Sequence, residues 1–254
     1  MAKHVVVTGA SSGLGEAFAR HYASKGWKVT LAARRKVLLD EIVASMDDAE
    51  TFVRPTDLSD LSQCEALLED AREALGPIDV LINNAGVQYV EPTAGVSPER
   101  GERLFTIDLL APMRLTHHVL QEMLERREGC IVNIASMAGL IFTPGMCHYN
   151  AAKAGLAAAS ESLRAELRDS GVHVLTVYPG PVESKMEAAA REQFEESSIV
   201  EKLPTGTPEG LAKLVYEAVE KKKERVIYPK VYGLSRFTRS SSQWITDRFS
   251  PKLK

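Results

Sequence analysis

Tyr149 and Lys153 stand four residues apart in Tyr149-Asn150-Ala151-Ala152-Lys153. On a helix that spacing puts both side chains on one face, one turn apart. An ammonium beside a phenol favours the phenolate and pulls its pKa down. A phenol tuned in this way trades a proton with a carbonyl or hydroxyl oxygen near neutral pH. Ser136 lies 13 residues upstream, just past the apolar run Cys130-Ile131-Val132-Asn133-Ile134, and its hydroxyl can hydrogen-bond the same oxygen. A Tyr and Lys at this spacing are by themselves a common surface pair. With a serine at a strand end, where open α/β sheets bind ligands, they fit acid–base work at a carbon–oxygen bond.

Thr8-Gly9-Ala10-Ser11-Ser12-Gly13-Leu14-Gly15 is a second constellation. It follows the strand-like run Val5-Val6-Val7 and opens a helical pattern. Glycines there let the backbone turn sharply and approach a pyrophosphate, which the helix N-terminus attracts through its open N–H groups and dipole. The lysine of a nucleoside-triphosphate loop is absent, which disfavours that class. After the second strand-like run, Ala32-Ala33-Arg34-Arg35 has no carboxylate for a ribose 2′-hydroxyl and has two guanidinium groups. Arg34 and Arg35 suit a 2′-phosphate, so the expected cofactor is NADP(H) rather than NAD(H).

The elements that must hold these groups alternate. Strand-like runs at Val5–Thr8, Lys28–Ala32, Thr51–Val53, Ile78–Ile82, Cys130–Ile134, Val172–Tyr178 and Arg225–Tyr228 are separated by helical patterns. The strands are continuously apolar, as burial on both faces requires. The expected fold is α/β, a doubly wound, seven-stranded parallel sheet of Rossmann type in a single domain. Pro112 falls inside a long helical stretch from about Pro98 to Arg127 and predicts a bend there. The stretch from Glu183 to Thr207 is polar and Glu-rich, and reads as an excursion from the sheet. We divide the chain into a catalytic domain at 1–229 and a basic, aromatic tail at 230–254.

Composition removes several function classes. The net charge of −3 argues against a nucleic-acid partner. Three scattered cysteines, Cys64, Cys130 and Cys147, make neither a disulfide framework nor a zinc site and fit a reducing compartment. No metal site is expected. No run of 18 apolar residues spans a membrane. With no leader-like start, the expected location is the cytoplasm.

Taken together, the chain resembles the short-chain dehydrogenase/reductase family over nearly its whole length. The matching motifs are the turn Thr8 to Gly15, Asn83-Asn84-Ala85-Gly86, the Ser136, Tyr149 and Lys153 set, and Pro179-Gly180-Pro181-Val182-Glu183-Ser184. The resemblance implies that Gly9, Ser11, Ser12, Gly13, Leu14 and Gly15 hold the phosphates and that Asp57 contacts the adenine. It implies that Asn84, Ala85 and Gly86 border the adenosine ribose, and that Pro179, Gly180, Val182 and Ser184 lie beside the nicotinamide. Tyr149 is then the general acid for reduction and base for oxidation, Lys153 lowers its pKa and holds the nicotinamide ribose, and Ser136 orients the substrate oxygen. The chain departs from the family at Asp108, where the family usually has an Asn holding a water that links the lysine to solvent. An ionised Asp108 would offset the Lys153 charge and raise the working pH.

The resemblance also places the substrate pocket among Gly95, Val96, Leu140, Ile141, Phe142, Met146, Met186, Phe194, Ile199 and Val200. Such a lining suits a small hydrophobic ketone, aldehyde or alcohol. Family members assemble through two long helices, here about 98–127 and 149–170, so a homodimer or homotetramer is expected. An NAD-dependent hydroxysteroid-type dehydrogenase and a non-catalytic NADP-binding sensor are the alternatives. In the tail, Lys230, Arg236, Arg239, Arg248, Lys252 and Lys254 interleave with Tyr232, Leu234, Phe237, Trp244, Ile245 and Phe249. We expect the tail to pack on the body or a partner subunit in preference to weak contact with a membrane surface.

Overall fold

The computed structural model describes residues 2–46, 49–195, 204–236, 238–251 and 253. Of the residues singled out above, Ile199, Val200, Phe237, Lys252 and Lys254 lie outside that set.

Seven strands form one parallel sheet: β1 His4–Thr8, β2 Lys28–Ala33, β3 Thr51–Pro55, β4 Val80–Asn83, β5 Gly129–Ile134, β6 Val172–Pro179 and β7 Arg225–Tyr228. Their order is β3-β2-β1-β4-β5-β6-β7, the doubly wound arrangement that the alternating pattern predicts. Val7 of β1 sits opposite Leu31 of β2 on one side and Ile82 of β4 on the other. The chain reverses its direction of travel across the sheet between β1 and β4. Such a reversal leaves a crevice at the carboxyl ends of the strands, where ligands bind.

Successive strand residues face opposite layers. Val5 and Val7 pack with Phe18 and Tyr22 of α1 (Gly13–Ala23), with Leu39 of α2 (Lys36–Ala44) and with residues of a later helix, Pro208–Glu220. Val6 between them faces the other layer, with Leu67 and Leu68 of α3 (Gln63–Leu75) and Leu115 and Val119 of the long helix region. All three valines are fully buried, and each such side chain contributes about 1.5–3 kcal/mol relative to exposure. Two-sided burial is why these strands read as unbroken apolar runs.

The long helix is interrupted where Pro112 predicts. It runs as α4 (Pro98–Phe105), widens into a π-helical turn at Thr106–Leu110, and resumes as α5 (Ala111–Arg126). Pro112 has no N–H to give to the carbonyl four residues back, at Asp108. The Ala111 N–H instead reaches five residues back to Thr106 O. Next come α6 (Cys147–Glu166) and then α7 (Lys185–Glu192), a helix inside the stretch read as an excursion. Ser184 caps α7 through a 3.1 Å bond from Glu187 N, which a reading of charge density alone misses. The Pro208–Glu220 helix is α8, and α9 covers Arg239–Phe249 in the tail. No helix among the described residues is long and apolar enough to cross a membrane.

Candidate active site

Ser136, Tyr149 and Lys153 come together at the carboxyl end of β5. Ser136 lies two residues past Ile134 and caps a short helical turn, accepting from Ala138 N at 3.1 Å and donating to Pro179 O at 3.4 Å. Tyr149 is in the first turn of α6, where the Ser136 side chain acts to lower the pKa of its phenol. Lys153, one turn on, is 4% exposed, lies 5.7 Å from the Tyr149 ring centre and donates to Ile134 O at 3.1 Å. The i, i+4 spacing therefore puts Tyr149 and Lys153 on one side of α6, beside the end of β5.

Asp108 joins this group from the π-helical turn. Its side chain is 0% exposed, with Oδ2 at 3.1 Å from Lys153 Nζ and Oδ1 accepting from Val87 N at 2.8 Å. The carboxylate thus meets the ammonium directly. Gly86 makes the approach possible, because a Cβ there would stand 2.8 Å from Asp108 Oδ2. Val87 as the partner that orients Asp108 is not readable from sequence, since nothing in the motif marks its N–H.

Charges at this centre pull against burial. Burial drives the Lys153 pKa down, but the Asp108 carboxylate and the Tyr149 phenol outweigh it and hold the ammonium protonated. Burial is also the largest influence on Asp108, raising its pKa against the opposing pull of Lys153 and the Val87 N–H. For the pair, the direction that stands is a charged Lys153, since a full carboxylate touches it. Tyr149 ends above the ordinary phenol value: burial raises it most, Lys153 lowers it, Asp108 raises it again, the Ser136 hydrogen bond lowers it and Glu187 raises it. The net downward tuning that Tyr149 and Lys153 alone predict is reversed by burial and Asp108.

The glycine turn meets the requirements of a pyrophosphate. Ser12 is the N-cap of α1, and its hydroxyl does not close onto the helix N–H groups, leaving the first turn open to an anion. Gly9 has φ +67°, and a Cβ on Gly15 would fall 2.2 Å from Gly9 O, so the turn closes only without side chains at these places. Ser11 and Ser12 both accept from Arg35 Nη2, at 3.0 and 3.4 Å. Arg34 is exposed and acts on Asp57 instead. Burial opposes ionisation of Asp57, but the Ser59 N–H and hydroxyl together with Arg34 and Arg103 hold its pKa below the usual carboxylate range.

Several of the remaining residues named from the sequence are fixed at the carboxyl ends of the strands. Thr8 fastens the Asn84–Gly86 turn to β1: its hydroxyl accepts from Asn84 N at 3.0 Å and Ala85 N at 3.1 Å, while Asn84 Nδ2 donates to Thr8 O at 2.8 Å. Asn83 and Asn133 brace β4 to β5 with a 2.8 Å side-chain bond. Beyond β6, Gly180 N bonds Tyr228 O at 2.7 Å and Val182 bridges Gly206. Ser184 lies close to the phosphate turn, its Cβ 3.9 Å from where a Gly13 side chain would begin. Leu14 packs on the core beside the turn. The open first turn of α1 and the side-chain-free glycine turn fit the pyrophosphate of a nicotinamide dinucleotide.

These features are those of one family. The family model described as short chain dehydrogenase matches residues 3–195. The chain belongs to the short-chain dehydrogenase/reductase family.

A ketoacyl reductase of Nostoc, HetN, is 36% identical over 228 residues, covering 89% of this chain and 78% of that protein. A fatty acyl-CoA reductase of Mycobacterium tuberculosis is 39% identical over 182 residues, covering 69% of this chain and 62% of its own length. Among solved structures, a family member from Burkholderia phymatum in complex with NAD superposes with a TM-score of 0.85 at 27% identity, over 99% of this chain and 96% of that one. An actinorhodin polyketide ketoreductase with NADPH gives 0.83 at 30% identity, over 89% and 95%. The chain is an oxidoreductase of this family, which works with a nicotinamide cofactor.

Proposed function

We propose that this protein is an NADP(H)-dependent reductase of apolar ketones or aldehydes, interconverting them with their alcohols. The observation that carries the reading is the convergence of the Ser136 hydroxyl, the Tyr149 phenol and the Lys153 ammonium at the end of β5. In reduction, Tyr149 gives its proton to the substrate oxygen, and the positive charge of Lys153 stabilises the phenolate left behind. Ser136 turns its hydroxyl from Pro179 O to that same oxygen and fixes its position. In oxidation the proton runs the other way, to Tyr149 as base. The bound cofactor supplies or accepts the hydride, and the protein positions it.

The phosphorylated cofactor is supported by Arg35, held over the phosphate turn by Ser11 and Ser12, and by the absence of an acid after β2. An apolar substrate is supported by the cluster of Val90, Met146 and Ala190, against which Ala138, Tyr149 and Phe194 pack. Two similar proteins are named for reducing acyl carbonyls, which agrees with a carbonyl on an apolar chain. A homodimer or homotetramer is part of the proposal, supported by exposed Leu110, Met113 and Leu124 on the long-helix face. So is a cytoplasmic location, supported by three cysteines that are all free thiols.

Steady-state kinetics with NADPH and NADH against a panel of aliphatic ketones, aldehydes and steroids tests the reading. Oxidation of NADPH in preference to NADH by an apolar carbonyl is expected. A preference for NADH with steroid alcohols points to the hydroxysteroid-type alternative, and tight NADPH binding without turnover of any carbonyl points to a sensor.

A further inference from the structure

The tail reaches back to the catalytic side of the molecule. On α9, Gln243 grips one residue of the loop that follows Ser136: Phe142 N donates to Gln243 Oε1 at 2.7 Å, and Gln243 Nε2 donates to Phe142 O at 3.1 Å. Asp247, one turn further on, accepts from the same Nε2 at 2.7 Å and holds the amide in place. Further along, Leu253 forms an antiparallel bridge with Phe194, two residues past α7. The Leu253 side chain lies against Gly145, where an added Cβ would be 2.8 Å from its methyl carbons. Leu253 and Phe194 pack with Tyr149 on the cluster of Val90, Met146 and Ala190.

Three separate contacts therefore bring the end of the chain to the substrate side of Tyr149. A bidentate side-chain grip on a backbone unit fixes a loop in one conformation, because both its donor and its acceptor are taken. An apolar side chain placed in the same cluster as the catalytic ring removes water from it and sets how much apolar substrate the space accepts.

We propose that the carboxyl-terminal segment builds part of the substrate site, with Leu253 as an apolar wall that sets specificity and Gln243 as the residue that positions the Phe142 loop. The inference rests on the reductase reading above. It adds that Leu253 supplies the wall and that the substrate class is one carrying an apolar arm.

The experiment uses the full chain saturated with NADPH, with octanal as substrate and 1-octanol, which cannot be reduced, as a calorimetric ligand. Leu253→Ala is expected to raise the octanal KM about ten-fold, the scale of lost apolar contact in a pocket. It is expected to weaken 1-octanol binding by a similar factor while the NADPH Kd holds. Leu253→Met, which keeps the volume, restores both, and Gln243→Ala moves KM in the same direction as Leu253→Ala. Unchanged octanal KM and octanol affinity in Leu253→Ala overturns the proposal. So does a lower KM with tighter octanol binding, which would mean that the segment obstructs the site. If the unaltered protein reduces no aldehyde with NADPH, the reductase reading fails, and the octanol titration still decides the wall.

Discussion

Asp108 Oδ2 stands 3.1 Å from Lys153 Nζ, with both side chains sealed from water at 0% and 5% exposure. A buried pair of this kind gives specificity of charge at the cost of desolvation. The lysine that steadies a phenolate is itself compensated, so less of its field reaches Tyr149. Asp108→Asn removes the opposing charge and keeps an acceptor. The Tyr149 pKa should fall, moving the alkaline rise of the alcohol-oxidation rate to lower pH. Profiles of kcat/KM against pH for the two proteins check this, and coincident profiles reject it. Asp108→Ala leaves the ammonium buried alone and should lower stability by about 3–5 kcal/mol, read from the denaturant midpoint.

Tyr149→Phe removes the proton that, in the proposed function, is given to the substrate oxygen. General acid–base groups contribute about 10²–10⁴-fold in rate. We expect kcat to drop within that range while the NADPH Kd changes little. Activity near the unaltered level would show that another group carries the proton.

Arg35→Ala tests the cofactor assignment. Arg35 donates to the turn serines and, in the proposed function, meets a 2′-phosphate. Its loss should cost about ten- to hundred-fold in kcat/KM for NADPH, the scale of a charge-assisted hydrogen bond, and leave NADH nearly unaffected. Equal losses for both cofactors would assign Arg35 to the turn's shape and not to the phosphate.

Away from the site, Glu161 lies between Arg225 and Arg164, and Tyr178 donates to it at 3.1 Å. Burial opposes its charge, but the two guanidinium groups win and lower its pKa from 4.5 to about 2. A depressed carboxylate stabilises the fold above its unfolded pKa and loses that contribution as pH falls through the folded value. Thermal unfolding of Glu161→Gln should therefore show a deficit at pH 7 that shrinks between about pH 4.5 and 2. A deficit independent of pH would mean that packing, and not charge, holds these elements together.

Much of this was legible in the residues. The parallel sheet follows from continuous apolar strands, and the interruption of the long helix follows from Pro112. The convergence of Ser136, Tyr149 and Lys153 follows from a helix repeat plus a strand end. The glycine turn is legible because a close backbone approach admits no other residue. What was not legible depends on contacts between distant parts of the chain. Nothing local marks Val87 N as the anchor of Asp108, or the Thr8 hydroxyl as the clasp on Asn84 and Ala85. Gln243 and Leu253 carry no motif, and their partners lie far upstream, as in the 101-residue separation from Phe142. The net direction of the Tyr149 pKa was likewise hidden, because desolvation depends on the assembled core.

The π-helical turn at Thr106–Leu110 has an evolutionary reading. Its widened backbone lies just ahead of the imino acid at 112 and carries residue 108 inward. Exchanging Asp108 for a neutral side chain that keeps the acceptor changes the charge beside Lys153 and leaves the Val87 N–H satisfied. Descendants of one ancestral oxidoreductase can thereby be retuned to more acidic or more alkaline surroundings by one codon, with no rebuilding of the framework.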